Sequence, residues 1–227
     1  MTQPTPISRV RVRGGAPDPD LGPLDAVESD AEAVLAIGDD AVSRAALAED
    51  SAPILPVGVG DDTTPRDAVR AAATALAAGD FRTVAHPILG VTVEGDQIAR
   101  GVFDVTLMTS EPARISEYAL TAEGERLFEV RADGVVVSSP LGSAGYGRAA
   151  GGPIVTPGAG LSVVPVSPFS TRASPWVVPG PLSLSVERDE GDVSLYVDAE
   201  ERRQVDPNGP VAVERVGTFT CLRPLTE

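Results

Sequence analysis

Lysine is absent from this chain of 227 residues, cysteine and histidine occur once each, and aromatic residues make up only 4%. Each scarcity removes a class of chemistry. Without lysine there is no P-loop, because that phosphate cradle needs a lysine beside its glycines. With Cys221 alone, no intrachain disulfide and no cysteine-rich metal cluster is available. His86, in the run VAHPILG beside a proline, reads as a satisfied and partly buried histidine rather than as a catalytic base. No GxSxG elbow surrounds any serine, which removes the usual setting of a Ser-His-Asp triad. No apolar run reaches the ~18 residues of a membrane span, and the start MTQPTPISRVRVRGG lacks a secretory apolar core. The chain is therefore expected in the cytoplasm, away from membranes.

Positive charge is also scarce, since 33 acidic residues stand against 18 basic ones for a formal net charge of -15. Such a surface repels polyphosphate backbones, and no arginine stripe offsets it, so nucleic-acid binding is not expected. An acidic, lysine-free surface resembles that of salt-adapted proteins, where solvation in high salt accounts for the charge.

What the sequence does have is length for a core, 42% hydrophobic residues, and two differently patterned parts. Residues 1–80 alternate short apolar runs with alanine-rich ones, as βα units on a parallel sheet require. Strands are predicted at 7–12, 33–37 and 53–59, helices at 43–48 and 64–78, and a loop between Gly14 and Asp30. From residue 81 to 227 the runs are β-formers punctuated by Gly, Pro and Asp, as a β-rich second domain requires. The division is placed at Gly79-Asp80.

The densest signal is Asp133 to Pro157, DGVVVSSPLGSAGYGRAAGGPIVTP. Three consecutive valines favour a buried strand, and the Ser, Pro and Gly residues after them give a tight exit. The glycines lack a Cβ, so a ligand or another backbone can approach main-chain N–H groups there. The segment closely resembles the signature of the NAD kinase family, DG-(apolar)3-STPTGSTAY followed by SAGGPI. Asp133, Gly134, Ser138, Pro140, Gly142, Ser143, Tyr146 and the run from Ala150 to Ile154 fall on it in register.

Further family elements are present in altered form. Ile37-Gly38-Asp39-Asp40-Ala41 resembles the family's GGDGT, with Ile37 and Asp40 at two of its glycines; Gly101-Val102-Phe103-Asp104 occupies the place of its Asn followed by Asp or Glu, with Phe103 for the asparagine. Ala144 and Ala149 stand for a threonine and a serine, and Val57-Gly58-Val59-Gly60 for a longer GxNG segment. Val164 to Pro168 with Arg172 and Pro175 resembles the PI(C/S)PHSL-xx-RP segment, and Val197 to Glu200 resembles DGQ.

The resemblance implies an α/β N-terminal domain, parallel, Rossmann-like and reduced, and an all-β C-terminal domain forming a β-sandwich, with the active site between them. It also implies phosphoryl transfer from ATP or polyphosphate, with Mg2+, to the adenosine 2′-hydroxyl of NAD, giving NADP. Asp39 aligns with the carboxylate that takes the hydroxyl proton, in a turn kept by Gly38; a cap on the following helix is the alternative role of an aspartate there. Asp104, Asp133, Ser138, Gly142, Ser143 and Tyr146 align with substrate-binding positions. Arg148 is either a solvated arginine or a phosphate fork that offsets Asp40. The family's pattern implies a homodimer or homotetramer, with the aspartate at Asp133 completing a neighbour's pocket. Two other readings stay open on residues alone: a non-catalytic nucleotide-binding homologue, which the substitutions favour, and a kinase for another small hydroxyl substrate.

Overall fold

Ala33-Val34-Leu35-Ala36-Ile37 forms a strand buried at every position, as a central strand of a parallel sheet covered on both faces must be. In the computed structural model, residues 4–15, 19–48, 52–59, 64–111, 114–171, 173–189 and 191–225 are described. Gly60 and Arg172, which belong to two of the family-like segments, lie outside them.

The chain runs through β1 (Arg9–Arg13), β2 (Asp25–Ala26), β3 (Ala33–Ile37), α1 (Asp39–Leu47), β4 (Ile54–Val57), α2 (Val69–Ala78), β5 (Phe81–Val93) and β6 (Asp96–Gly101). There follow β7 (Asp104–Thr109), β8 (Ser116–Ala122), β9 (Glu125–Ala132), β10 (Gly134–Ser138), α3 (Tyr146–Ala149) and β11 (Leu161–Val166). The last elements are β12 (Trp176–Val178), β13 (Leu182–Arg188), β14 (Val193–Val197), β15 (Glu200–Gln204) and β16 (Val211–Pro224). Two compact units result, Met1–His86 with Thr218–Glu227, and Pro87–Gly217.

The change of unit falls inside β5 rather than at Gly79-Asp80, and the C-terminal segment joins the first unit. The composition shift near residue 80 marks the start of a strand that then runs unbroken to Val93. The far end of β16 lies parallel beside β4, with Cys221 opposite Ile54, and this pairing draws the C-terminus into the first unit.

In the first unit β2, β1, β3 and β4 form a parallel array. Its core joins Val10, Leu35, Leu55 and Val57 to Ala72, Ala73 and Leu76 of α2. α1 begins at Asp39, earlier than the expected start at residue 43, because Gly38 at φ 86 turns the chain directly from β3 into the helix. A short 3-10 turn, Arg66–Ala68, precedes α2. His86 is buried and stacks on Phe219, with ring centroids 5.8 Å apart.

The second unit is built from strands that alternate. In β13, Leu182, Leu184 and Val186 point inward while the residues between them are half-buried. A six-stranded sheet of order β12-β11-β10-β7-β14-β15 is antiparallel throughout. β8 pairs with β9 and β13, and β13 with the first half of β16. One apolar core holds Leu107, Val135, Val137 and Leu195 from the first sheet with Leu120, Leu184 and Val213 from the other strands, which makes this unit a sandwich. Tyr118 is fully buried in it, its hydroxyl 2.8 Å from Thr109 Oγ1, and burial pushes its pKa up.

Candidate nucleotide site

At the end of β3 the chain makes a turn that needs glycine. Gly38 has φ 86, its N–H donates to the carbonyl of Val57 at 2.9 Å, and its own carbonyl accepts from Val42 at 3.1 Å. The N-cap position of α1 is Gly38, so Asp39 is the first helical residue and not the cap. Its side chain is exposed, where a negative charge is favoured by the helix dipole. Ile37, at the place of a family glycine, is the buried last residue of β3. Asp40 does not stand as an isolated charge, because Arg44, one helical turn on, meets its carboxylate at 2.6 Å.

In the second unit two loops are tied to each other. Asp198 receives the N–H groups of Val102 at 2.9 Å, Phe103 at 2.8 Å and Asp104 at 3.2 Å on one carboxylate. In return Asp198 N–H donates to the Asp104 carbonyl at 3.0 Å. The Ser139 hydroxyl donates to the Val102 carbonyl at 2.6 Å and accepts from Gly142 N–H at 3.2 Å, while Ser139 N–H donates to Phe103 at 2.8 Å. Phe103 therefore takes part through its backbone, and its side chain is buried. A Cβ on Gly142 would lie 2.1 Å from the Phe103 carbonyl oxygen, so no other residue fits there without moving a backbone.

The serines expected in the site support it from below. Ser143 is buried, donating to the Pro140 carbonyl and accepting from Val155 N–H, both at 2.9 Å. Ser138 is buried under α3, where a Cβ on Gly147 would come within 2.5 Å of its hydroxyl oxygen. Asp104, Asp133 and Tyr146 are brought close enough to interact electrically. Tyr146 is 41% exposed, and its phenol pKa is raised first by partial burial and then by the charges of Asp104 and Asp133. It thus remains a neutral hydrogen-bond donor at physiological pH. The backbone of Asp133 is fixed from both sides: its N–H donates to Val166 at 3.0 Å and its carbonyl accepts from Thr109 at 2.9 Å. Arg148 is exposed on α3.

Gly38 and Asp39 thus belong to the first unit, and Asp104, Asp133, Ser138, Gly142, Ser143, Tyr146 and Arg148 to the second. Neither Ser139 nor the bonds of Asp198 stand out from sequence alone. A hydroxyl before proline, three residues ahead of a glycine, was the available signal for Ser139; nothing local signalled the Asp198 contacts. Among the described residues no group of three or more His, Cys, Asp or Glu is placed to hold a metal ion.

Residues 103–219 match the model of the ATP-NAD kinase C-terminal domain. An NAD kinase from Methanopyrus kandleri is 33% identical over 192 residues, covering 80% of this chain and 68% of that protein. One from Methanosarcina acetivorans is 27% identical over 221 residues, covering 93% and 74%. Among solved structures, yeast NADH kinase complexed with NADH superimposes with a TM-score of 0.73 at 15% identity, over 96% of this chain and 84% of that one. An NAD kinase from Archaeoglobus fulgidus in complex with ATP gives 0.65 at 18% identity, over 97% and 94%.

Proposed function

From the premise that this chain belongs to the NAD kinase family, we propose that it transfers the terminal phosphoryl group of ATP to the 2′-hydroxyl of the adenosine ribose of NAD. It is a kinase, and the products of the proposed reaction are NADP and ADP. The ribose oxygen attacks the γ-phosphorus, its proton passes to the Asp39 carboxylate, and the bond from that phosphorus to the bridging oxygen breaks. Mg2+ enters with the nucleotide as part of the substrate and neutralises its phosphate charge. Polyphosphate is a second donor compatible with the same chemistry.

The observation that carries this reading is the Gly142 turn packed against the Phe103 backbone, with Asp104 held through its backbone by Asp198 and the charges of Asp104 and Asp133 felt at Tyr146. Asp104 accepts hydrogen bonds from ribose hydroxyls, Asp133 offers its carboxylate to the ligand of a neighbouring copy, and Tyr146 offers a ring face and a donor hydroxyl. Ser138 and Ser143 shape the turn, Arg148 takes a phosphate, and Gly38 sets the turn that presents Asp39. Of the substitutions, Asp40 is ion-paired with Arg44, which offsets the charge it adds, while Phe103 keeps the loop's main-chain bonds without supplying a side-chain donor or acceptor.

In this reading the first unit binds nucleotide and phosphate, and the β-rich unit binds NAD and carries a homodimer or homotetramer contact, through which Asp133 serves a neighbour's pocket. The acidic surface suits a cytoplasm of high salt. The deciding experiment is a coupled NADP assay in molar salt on the parent and on Asp39→Asn. The substitution keeps size and removes proton acceptance, so turnover should fall ~10²–10⁴-fold with the melting curve unchanged. Unchanged turnover removes Asp39 as the base. Sedimentation of a lone monomer with normal NAD affinity removes Asp133 from the site.

A further inference from the structure

Arg66 lies across the ends of two adjacent parallel strands in the first unit. Gly38 follows β3 and Gly58 follows β4, both with positive φ, at 86° and 67°. A Cβ on Gly58 would stand 3.0 Å from Arg66 Nε and 3.1 Å from its Cγ, and one on Gly38 would stand 3.8 Å from its terminal Nη2. The stem of the arginine thus rests on one glycine turn and its fork reaches the other, the turn that presents Asp39.

Several arginines of the chain are paired with carboxylates. Arg13, Arg44, Arg70, Arg126 and Arg202 each meet a carboxylate. Arg66, like Arg82, Arg188 and Arg215, makes no ion pair or side-chain hydrogen bond among the described residues, although acidic groups outnumber basic ones by 33 to 18, and of these four it is the one that lies against glycine turns. A guanidinium held over glycine turns, exposed, and left without a carboxylate in so acidic a chain is arranged to receive an anion from solution. Its place, outside the carboxyl ends of neighbouring parallel strands, is where open α/β sheets bind ligands. The two glycines leave room for the arginine stem and for an approaching phosphate.

We propose that Arg66 binds the phosphate chain of the donor, supplying in this lysine-free protein a fork against the terminal phosphates. This deepens the kinase reading and rests on it. A planar guanidinium meets two phosphate oxygens through a fixed fork, a geometry that lysine's compact ammonium does not share, so arginine and lysine should differ at this position.

The test measures binding separately from turnover. Calorimetric titrations of MgATP, of magnesium tripolyphosphate and of NAD are made on the parent, Arg66→Gln and Arg66→Lys, each checked by thermal melting. Loss of a charge-assisted bond should weaken MgATP and tripolyphosphate by about tenfold or more in Arg66→Gln. Arg66→Lys should recover part of the loss, and NAD affinity should stay within about twofold of the parent by the same reasoning. The proposal is overturned if Arg66→Gln binds MgATP like the parent, if it loses NAD to the same degree, or if tripolyphosphate is unaffected. NADP formation is scored independently. A parent that binds MgATP through Arg66 but forms no NADP would sink the kinase reading and keep the phosphate site. A parent that forms NADP and an Arg66→Gln variant with unaltered donor affinity would do the reverse, and a parent that binds no MgATP would remove both.

Discussion

The carboxylate of Asp198 receives the backbone N–H of Phe103 at 2.8 Å, joining residues 95 positions apart in sequence. With the N–H groups of Val102 and Asp104 on the same side chain, this makes Asp198 the acceptor that shapes the loop presenting Asp104. Asp198→Ala leaves those donors without it in a half-buried place, at a cost of about 2 kcal/mol or more. Asp198→Asn keeps one acceptor oxygen and should lose less. Urea unfolding reads the stability, and steady-state kinetics should show KM for NAD rising more than kcat falls.

Gly142→Ala tests the contact with Phe103 from the other side. The new Cβ would meet a carbonyl oxygen at 2.1 Å, with backbone on both sides of the clash. Overpacking of this kind costs ~1–3 kcal/mol. Gly15→Ala, where a Cβ meets nothing within 4 Å, is the control and should melt like the parent. Equal melting of the two variants would show that the 101–104 and 139–142 loops are not packed as described.

Asp40→Gly restores the family's glycine but removes one half of the pair with Arg44. Both side chains are largely exposed, so the pair itself contributes little, ~0.5 kcal/mol or less. Glycine inside the helix adds a cost of roughly 0.5–1 kcal/mol. Because the carboxylate is already neutralised by Arg44, MgATP affinity should change by no more than about threefold. A much larger gain in affinity would mean that Asp40 faces the phosphates instead of Arg44.

Cys221 gives the fold an alkaline limit. The thiol is buried beside β4, and that burial pushes its pKa up to about 12 from an ordinary value of 9.0. The folded state then holds a proton that the unfolded chain releases, so stability is complete below pH 9.0 and falls as pH rises towards about 12. The slope from this one group is about 1.4 kcal/mol per pH unit. Tyr118, with its pKa also raised by burial, adds to the loss in the same direction. Denaturant midpoints of the parent and Cys221→Ala across this range should converge as pH rises; parallel curves would show the thiol is not buried in the folded state.

Sequence alone determined the elements whose causes are local. The run AVLAI carries its own strand propensity and burial, the three valines before Ser138 do the same, and glycine with serine and proline dictates a turn within a few residues. The register of the DG-to-GGPI segment was sufficient to indicate the family, which the family model and the archaeal relatives then showed. Tertiary structure decided whatever depends on partners far apart in the chain. Composition placed the boundary at Gly79-Asp80, yet strand β5 continues past it, and the parallel pairing of Cys221 with Ile54 returns the C-terminus to the first unit. That the carbonyl and N–H of Phe103 tie its loop to Ser139 and Asp198 is visible only in the fold, because both partners are distant in sequence. Arg66 carries no motif, because its position over Gly38 and Gly58 follows from the packing of two strand ends and the turn before α2. Local propensity acts over neighbouring residues, whereas the meeting of a side chain with a distant backbone is fixed only when sheet register and loop closure have set both places.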